Sequence, residues 1–248
     1  ASELGGARRI LQLRDSIGLD YLNQGNTGQA YASFQRALEI SVDEGRNYHM
    51  TALVLIHLGS ALRIQGHDQY AFEYYQQAID LVERLKTRLN AGTSAAYLAT
   101  VHNSLGAIKE AQGDLAAALE SYQRSLKILE SVPPEPNIRF NTTQDLLVFT
   151  LNHIGELYAK QGRYPEALSY YQKAAAQAEK IDFMEGRLDS LVKTANLYYL
   201  QGHFDQAMET TARAVDLALE IAGEPPTDWA TPVASPAAAP AAGATPVP

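Results

Sequence analysis

The sequence predicts an all-α protein built as a solenoid of five helical hairpins, and three observations carry this prediction. Five glycines stand between pairs of apolar helical patterns, at least 40 residues apart. Small residues recur at fixed distances from each of these glycines, and an aromatic ring, usually tyrosine, recurs at a fixed distance from four of them. Because self-similarity at a long period is typical of repeat architectures, we expect stacked units rather than one closed core. The glycines are Gly25, Gly66, Gly113, Gly162 and Gly202.

The first helix of each predicted hairpin ends at one of these turn glycines. Glycine adopts the left-handed conformation that ends a helix at little cost, whereas other residues adopt it less readily. Two helical turns earlier stands a small residue, and the residue before it is apolar in four of the five units. A small side chain at this position lets the second helix approach closely. These small residues are Gly18, Gly59, Gly106, Gly155 and Ala195.

The second helix carries small residues five and twelve positions after the turn glycine and, in four of the five units, an aromatic ring nine positions after it. The residue at the fifth position is alanine in every unit. We expect the ring to fill the wider gap beyond the small residues, and the twelfth position to lie where the next hairpin packs. One hairpin cannot bury its own apolar faces, so the five units are expected to stack. The ninth positions are Phe34, Tyr75, Tyr122, Tyr171 and Thr211.

The segments LNHIGELYAKQGRYPEALSYYQKA (151–174) and HNSLGAIKEAQGDLAAALESYQRSL (102–126) resemble tetratricopeptide repeats. The basic unit of that family has 34 residues, and the longer units here are similar to those of kinesin light chain-type adaptors. Lys109, Thr194 and Thr211 depart from the family pattern. The resemblance implies a right-handed solenoid over residues 1–222. Its repeats are expected near 11–44, 52–90, 99–131, 148–181 and 188–221.

Proline marks two breaks in the helical pattern. Three prolines within 132–137 stop one helix and prevent the next from starting before about Asn141. We interpret this link as an ordinary loop, with a hinge of the array as the alternative. Residues 223–248 hold seven of the eleven prolines and no Lys or Arg, so we expect a disordered tail. Trp229 either docks on the last hairpin as a substitute cap or belongs to a plain linker.

The composition argues against several classes of function. With 20 Lys and Arg against 28 Asp and Glu, the net charge is −8, which argues against nucleic-acid binding. The absence of cysteine excludes thiolate zinc sites, disulfides and cysteine nucleophiles. No apolar run is long enough for a membrane span, and the first residues lack the pattern of a signal peptide. We expect a cytoplasmic location. An export signal removed ahead of Ala1 stays open as an alternative.

No pattern in the sequence predicts catalysis, a cofactor or a metal site. None of the six histidines forms the H-x-x-x-H or H-E-x-x-H pair of a helical zinc site. Neither a phosphate-binding G-x-x-x-x-G-K-[ST] motif nor a nucleophile elbow, G-x-S-x-G, occurs. We therefore expect a protein that is not an enzyme, with no catalytic residues, no cofactor and no bound metal.

The first helices of stacked hairpins line the concave groove of a solenoid, so their polar positions are the candidate peptide-binding site. Asn103 and Asn152 occupy equivalent positions, and a carboxamide can pair with both the C=O and the N–H of an extended peptide. In the adaptors that the chain resembles, asparagines at that position hold the ligand backbone. The alternative is that they bridge neighbouring helices. The predicted site comprises His57, Arg63, Asn103, Asn152, His153, Glu156, Lys160, Lys193, Asn196 and Tyr199.

The leading functional hypothesis is a scaffold or adaptor that binds a peptide or helical segment of another protein in this groove. The mixed charges of the groove favour a partner with both apolar and charged positions. One alternative is a sensor or interaction module of a larger regulatory protein. Another is a self-associating assembly factor, a homo-oligomer in which one copy occupies the groove of the next.

Overall fold

The computed structural model describes residues 2–43, 48–85, 87–133 and 142–223, which form ten α-helices and no strand. The all-α prediction is therefore confirmed. The helices are α1 (Ser2–Asn23), α2 (Thr27–Asp43), α3 (Tyr48–Ile64), α4 (Asp68–Arg84), α5 (Ala91–Ala111), α6 (Leu115–Glu130), α7 (Thr142–Lys160), α8 (Tyr164–Lys180), α9 (Met184–Leu200) and α10 (Phe204–Ala222).

Consecutive helices pair into five hairpins, from α1 with α2 to α9 with α10. All five predicted turn glycines are left-handed, with φ between +73° and +80°. A backbone hydrogen bond across each turn joins the two helices, as where the His67 N–H donates to the Leu62 carbonyl at 2.9 Å. The turn glycine is therefore required by its backbone conformation and not by crowding, because a Cβ on any of them would meet open space.

The glycine inside the first helix is required by crowding instead. A Cβ placed on Gly59 would lie 2.6 Å from Cε1 of Tyr75, well inside the ordinary contact distance between carbon atoms. The same arrangement joins Gly106 to Tyr122 at 2.6 Å. The ring thus lies directly on the glycine, whereas the sequence predicted that it would fill a gap beyond the small residues.

The hairpins stack in series, with the first helices on the inner side of the array. Each first helix contacts the first helix of the next hairpin, from α1–α3 to α7–α9. The second helices contact only first helices within the described residues. Since the elements that approach most closely lie on the inside of a curved stack, the first helices line its concave surface. This is the solenoid of five hairpins that the sequence predicts.

The small residues at the twelfth position are all buried, each at most 4% exposed. In the first four hairpins they lie where the next hairpin packs, as predicted, whereas Ala214 clusters with Leu191 and Leu217 of its own hairpin. One of them, Ser125, donates a hydrogen bond to the Ala99 carbonyl across α5 and α6 at 3.2 Å. The residues are Ala37, Ala78, Ser125, Ala174 and Ala214.

The two proline-marked breaks fall largely outside the described residues. Helix α6 ends at Glu130 and α7 begins at Thr142, which agrees with the predicted restart near Asn141. Residues 134–141 of the link and 224–248 of the tail are not among the described residues. The hinge, the disordered tail and the domain boundaries therefore stay predictions.

Candidate peptide-binding groove

Helix α7 presents one stripe of side chains to the concave surface. Phe149, His153, Glu156 and Lys160 follow one another at intervals of four, three and four residues, which places them on one helix face. The last three belong to the predicted site. Phe149 was missed although it is 40% exposed. Its position one turn before His153 was the signal that could have found it.

The two predicted histidines each cover an aromatic ring of the preceding hairpin. His57 lies against Phe34 with ring centroids 5.2 Å apart, and His153 stacks on Tyr122 at 5.0 Å. His57 is also fixed from the other side, because its Nδ1 lies 2.7 Å from Oδ1 of Asp15 on α1. These side chains therefore join successive hairpins and form the floor of the groove.

The two asparagines bridge neighbouring first helices. The Asn103 amide donates to Oγ1 of Thr150 on α7 at 2.9 Å. The Asn152 amide, 1% exposed, donates to Oδ2 of Asp189 at 2.8 Å and to Oγ of Ser190 at 3.0 Å on α9. Both carboxamides thus have protein partners across the groove floor. That they also hold a peptide backbone remains a prediction.

An ion pair links α5 to α7 at the end of the groove near the turn glycines. Lys160 Nζ lies 2.5 Å from Oε1 of Glu110, and the other oxygen of Glu110 accepts a hydrogen bond from the Tyr122 hydroxyl at 2.9 Å. Burial and the nearby Glu110 carboxylate both raise the pKa of Tyr122. Arg63 lies nearby on α3, and its Nε is buried with no hydrogen-bond partner in the described part of the chain.

Lys193 on α9 is the centre of a second ion-pair cluster. Its Nζ lies 2.5 Å from Glu156 and 2.9 Å from Asp189, and Glu156 also faces Nδ1 of His153 at 3.4 Å. Burial raises the pKa of Glu156, but hydrogen bonds from His153 and Lys193 outweigh it and lower the pKa from 4.5 to about 2. The pKa of Lys193 is raised, because its hydrogen bonds to the two carboxylates outweigh its burial. This cluster holds α7 and α9 together through charge.

The Glu156→Gln substitution is expected to lower the free energy of unfolding at neutral pH by about 1–2 kcal/mol, a value reduced for partial solvent screening. Since the pKa of Glu156 is lower in the fold, its stabilising contribution is fully present above pH 4.5 and is lost as the pH falls through about 2. The difference between wild type and variant should therefore shrink across that range. Urea unfolding followed by circular dichroism at several pH values measures it.

Glu179→Gln on α8 is the matched control. Its carboxylate is 65% exposed and lies 3.6 Å from Arg187, so its loss should change the free energy of unfolding by less than about 0.5 kcal/mol. A Glu156→Gln difference that stayed constant between pH 5 and pH 2 would show that the carboxylate charge does not stabilise the fold.

Asn196 and Tyr199 lie at the last hairpin, away from the centre of the groove. Both are exposed, and Tyr199 packs edge to face on Phe204 of α10 with ring centroids 5.7 Å apart. Val192, also exposed and one helical turn before Asn196, was missed by the sequence analysis. The predicted site therefore divides into a larger part on α3, α5, α7 and α9 and an outlying part at the end of the array.

The described residues contain no group of three or more His, Cys, Asp or Glu side chains arranged to hold a metal ion. Within the same residues, each helix is either too short or too polar to cross a membrane. The concave surface instead offers exposed apolar, amide and charged side chains in alternation, which can contact another polypeptide.

A family model described as the tetratricopeptide repeat matches residues 9–84 and 147–220, together more than half of the chain. The chain belongs to the tetratricopeptide-repeat family. The two matched stretches contain the first two and the last two hairpins, and the third hairpin repeats the same glycine–ring arrangement. The tetratricopeptide-repeat fold is that of a protein–protein interaction module.

Known tetratricopeptide-repeat proteins are similar at low identity. The chain is 23% identical over 174 residues to kinesin light chain-related protein 1 of Arabidopsis thaliana, covering 70% of this chain and 27% of the relative. A solved putative kinesin light chain of Podosopora anserina has a TM-score of 0.60 at 17% identity, over 88% of this chain and 98% of the other. The kinesin light chain-like resemblance is therefore confirmed at the level of the repeat.

A multidomain tetratricopeptide-repeat protein also matches in fold. It is a signal transduction ATPase with a tetratricopeptide-repeat sensor from Pyrococcus horikoshii, with a TM-score of 0.66 at 17% identity, over 85% of this chain. This chain spans 30% of that protein and about a quarter of the Arabidopsis relative.

Proposed function

We propose that the chain binds an extended or helical segment of a partner protein in the groove formed by α1, α3, α5, α7 and α9. The observation that carries the proposal is the stripe of Phe149, His153, Glu156 and Lys160, which combines an exposed ring with charged side chains at the centre of the concave surface. Membership of a family of interaction modules supports the same function.

The ligand chemistry follows from what the groove leaves accessible. Phe149 and Val192 offer apolar contacts on α7 and α9, and both are 40% or more exposed. Lys160 is 56% exposed although it is paired with Glu110, so its ammonium can donate a hydrogen bond to a second carboxylate. A segment with apolar side chains and an acidic residue matches this surface better than a uniformly charged one. Aromatic side chains, phenylalanine among them, are also enriched at the cores of protein interfaces.

Phe149→Ala should weaken binding of a partner that co-purifies with the wild-type chain by about tenfold, because a central aromatic anchor is lost. The matched control is Phe72→Ala, since Phe72 is equally exposed, at 39%, but lies on the second helix α4. Affinity of the purified pair is measured by titration calorimetry. Both variants should keep the wild-type helical signal.

Equal loss of affinity in the two variants, or no loss in either, would move the binding surface away from the groove. A charge-reversal variant, Lys160→Glu, adds an independent readout. It should reduce affinity at low salt more than at high salt, because exposed charges are screened within about 10 Å at 0.1 M salt.

A second candidate is that the chain acts as the sensor or interaction module of a larger regulatory protein. The candidate is favoured by the length of similar proteins, because this chain covers only 30% of the signal transduction ATPase and 27% of the Arabidopsis relative. Determining the mass of the mature protein in its native source would decide between this candidate and a free-standing adaptor. The proposed non-enzymatic role and cytoplasmic location apply to both.

A further inference from the structure

The last hairpin contains an apolar cavity of about 730 Å³ between α9 and α10, here called the end pocket. Apolar atoms form nearly all of its surface, and three of its large side chains are more than half exposed, namely Tyr199, Phe204 and Met208. The other residues that matter here are Ala195, Ala207 and Thr211. The end pocket is distinct from the central stripe of the groove on α7.

The end pocket exists because the fifth hairpin lacks the ring that the other four carry. Thr211 stands at the ninth position after the turn glycine, where Tyr171 stands in the fourth hairpin. Ala195 replaces the glycine against which that ring would lie. In the fourth hairpin, a Cβ on Gly155 would lie 2.5 Å from the Tyr171 ring. An alanine therefore fits at this position only where the ring is absent, which is the combination that Ala195 and Thr211 provide in the fifth hairpin.

In the earlier hairpins, the same place is covered by the next first helix. Leu197 of α9 packs with Ala167 and Tyr171 of α8 in one buried cluster. The counterparts of Ala167 and Tyr171 in the fifth hairpin are Ala207 and Thr211, which line the end pocket. An apolar side chain that reached the end pocket would therefore make the contacts that Leu197 makes one hairpin earlier.

Helices α8 and α10 are each followed by a residue in the left-handed conformation. Asp182 after α8 has φ of 58° and Gly223 after α10 has φ of 76°. Each donates its N–H to the carbonyl three residues earlier, at 3.2 Å and 3.1 Å. The two left-handed residues thus stand at the same end of equivalent helices. A left-handed residue therefore ends α10 at the same end from which the link between α8 and α9 departs.

The reach of the chain selects one residue for the end pocket. From Met184 to Leu197, helix α9 advances about 20 Å. Six residues of extended or polyproline chain, from Gly223 to Trp229, also span about 20 Å. Trp229 is the one tryptophan of the sequence, and the residues before it include Pro225 and Pro226, which favour an extended chain.

We propose that Trp229 of the same chain occupies the end pocket, supplying from the tail the ring that Thr211 lacks and capping the solenoid. A repeat array needs its terminal apolar face covered, and one large ring covers more of that face than any other residue of this segment. This proposal concerns a different surface from the groove on α7, so the two can fail separately.

Trp229 reports on its own surroundings, because excitation beyond the tyrosine absorption selects it alone. In the full chain, its emission should lie at shorter wavelength than in urea-unfolded protein, and its quenching by acrylamide should be several-fold weaker. The Ala195→Gly/Thr211→Tyr variant restores the glycine–ring pair of the other hairpins and fills the end pocket. That variant should shift the emission to the wavelength of the unfolded protein while circular dichroism stays unchanged.

Two further variants make the test independent of that double substitution. Met208→Glu places a charge at the exposed rim and should also release Trp229. Glu209→Tyr adds a ring at an exposed neighbouring position outside the end pocket and should leave the emission as in wild type.

Three results would overturn the proposal. Native emission equal to that of unfolded protein would mean that Trp229 is in water. Unchanged emission in both the filled and the Met208→Glu variants would place Trp229 elsewhere. A shift that appears only at concentrations where light scattering detects a dimer would assign the end pocket to a second copy of the chain.

Discussion

Replacing Tyr75 by alanine is expected to lower the free energy of unfolding by about 3–5 kcal/mol. The side chain is fully buried, and its ring lies on Gly59 between α3 and α4. Gly59 has no side chain that could move into the vacated space, so the cavity would persist. The Tyr75 hydroxyl also lies 3.1 Å from Oγ of Ser60, a hydrogen bond that the variant loses.

Urea unfolding followed by circular dichroism measures the decrease in the free energy of unfolding. Two further variants separate the contribution of the ring from that of the hydroxyl and from that of an exposed tyrosine. Tyr75→Phe keeps the ring and should cost only about 1 kcal/mol for the hydroxyl. Tyr70→Ala removes the same residue type from the same helix, where it is 60% exposed, and should cost less than about 0.5 kcal/mol. If Tyr75→Ala cost no more than Tyr70→Ala, the ring would not be a structural element of the repeat.

The repeated pairing of ring and glycine explains why the fold could be predicted from one sequence. Each contact is local, because Gly59 and Tyr75 lie on the two helices of one hairpin and only its connecting turn separates these helices. Four copies of this pair reinforce one another, and the turn glycine recurs in all five hairpins, so the departures at Lys109, Thr194 and Thr211 did not obscure the repeat. Turn position follows from the same local chemistry, because a left-handed residue favours glycine.

Contacts between hairpins could not be predicted in the same way. Asn152 pairs with Asp189 and Ser190, which lie 37 and 38 residues later. Such a partner is set by the rise and rotation from one hairpin to the next, and these depend on the unequal loop lengths of this chain. The sequence placed Asn152 on the concave side, but it could not decide between a ligand contact and a bridge between helices.

The end pocket illustrates a further limit. The sequence indicated that Thr211 departs from the repeat pattern, whereas Ala195 was interpreted as one of the small residues that conform to it. Only the geometry of Gly155 and Tyr171 connects the two positions, since a methyl group and a ring cannot share that space. The substitution pair therefore has a physical basis that repeat alignment alone does not supply.

Gly59→Ala is expected to lower the free energy of unfolding by up to about 2 kcal/mol, although alanine favours helix more than glycine does. The propensity gain is about 1 kcal/mol. Against it stands the new Cβ at 2.6 Å from Cε1 and 2.7 Å from Cδ1 of Tyr75, and overpacking of this kind costs about 1–3 kcal/mol. The ring is fully buried, so it cannot relax without displacing its neighbours.

Gly28→Ala is the matched control, because a Cβ at this glycine of α2 meets no atom within 4 Å. The same change of residue type should there raise the free energy of unfolding by up to about 1 kcal/mol. If the free energy of unfolding falls for Gly59→Ala and rises for Gly28→Ala, crowding at Gly59 outweighs helix propensity. If it rises for both variants, the Tyr75 ring moves aside freely.

The double variant Gly59→Ala/Tyr75→Thr copies the Ala195 and Thr211 pair of the fifth hairpin into the second. Without the ring, the alanine no longer meets an obstacle, so Gly59→Ala should cost nothing in the Tyr75→Thr background. The resulting coupling between the two positions is expected to be about 0.5–3 kcal/mol, as for residues in direct contact. If the two changes in the free energy of unfolding were strictly additive, the glycine and the ring would stabilise the fold independently. Their joint absence from the fifth hairpin would then have no common physical cause.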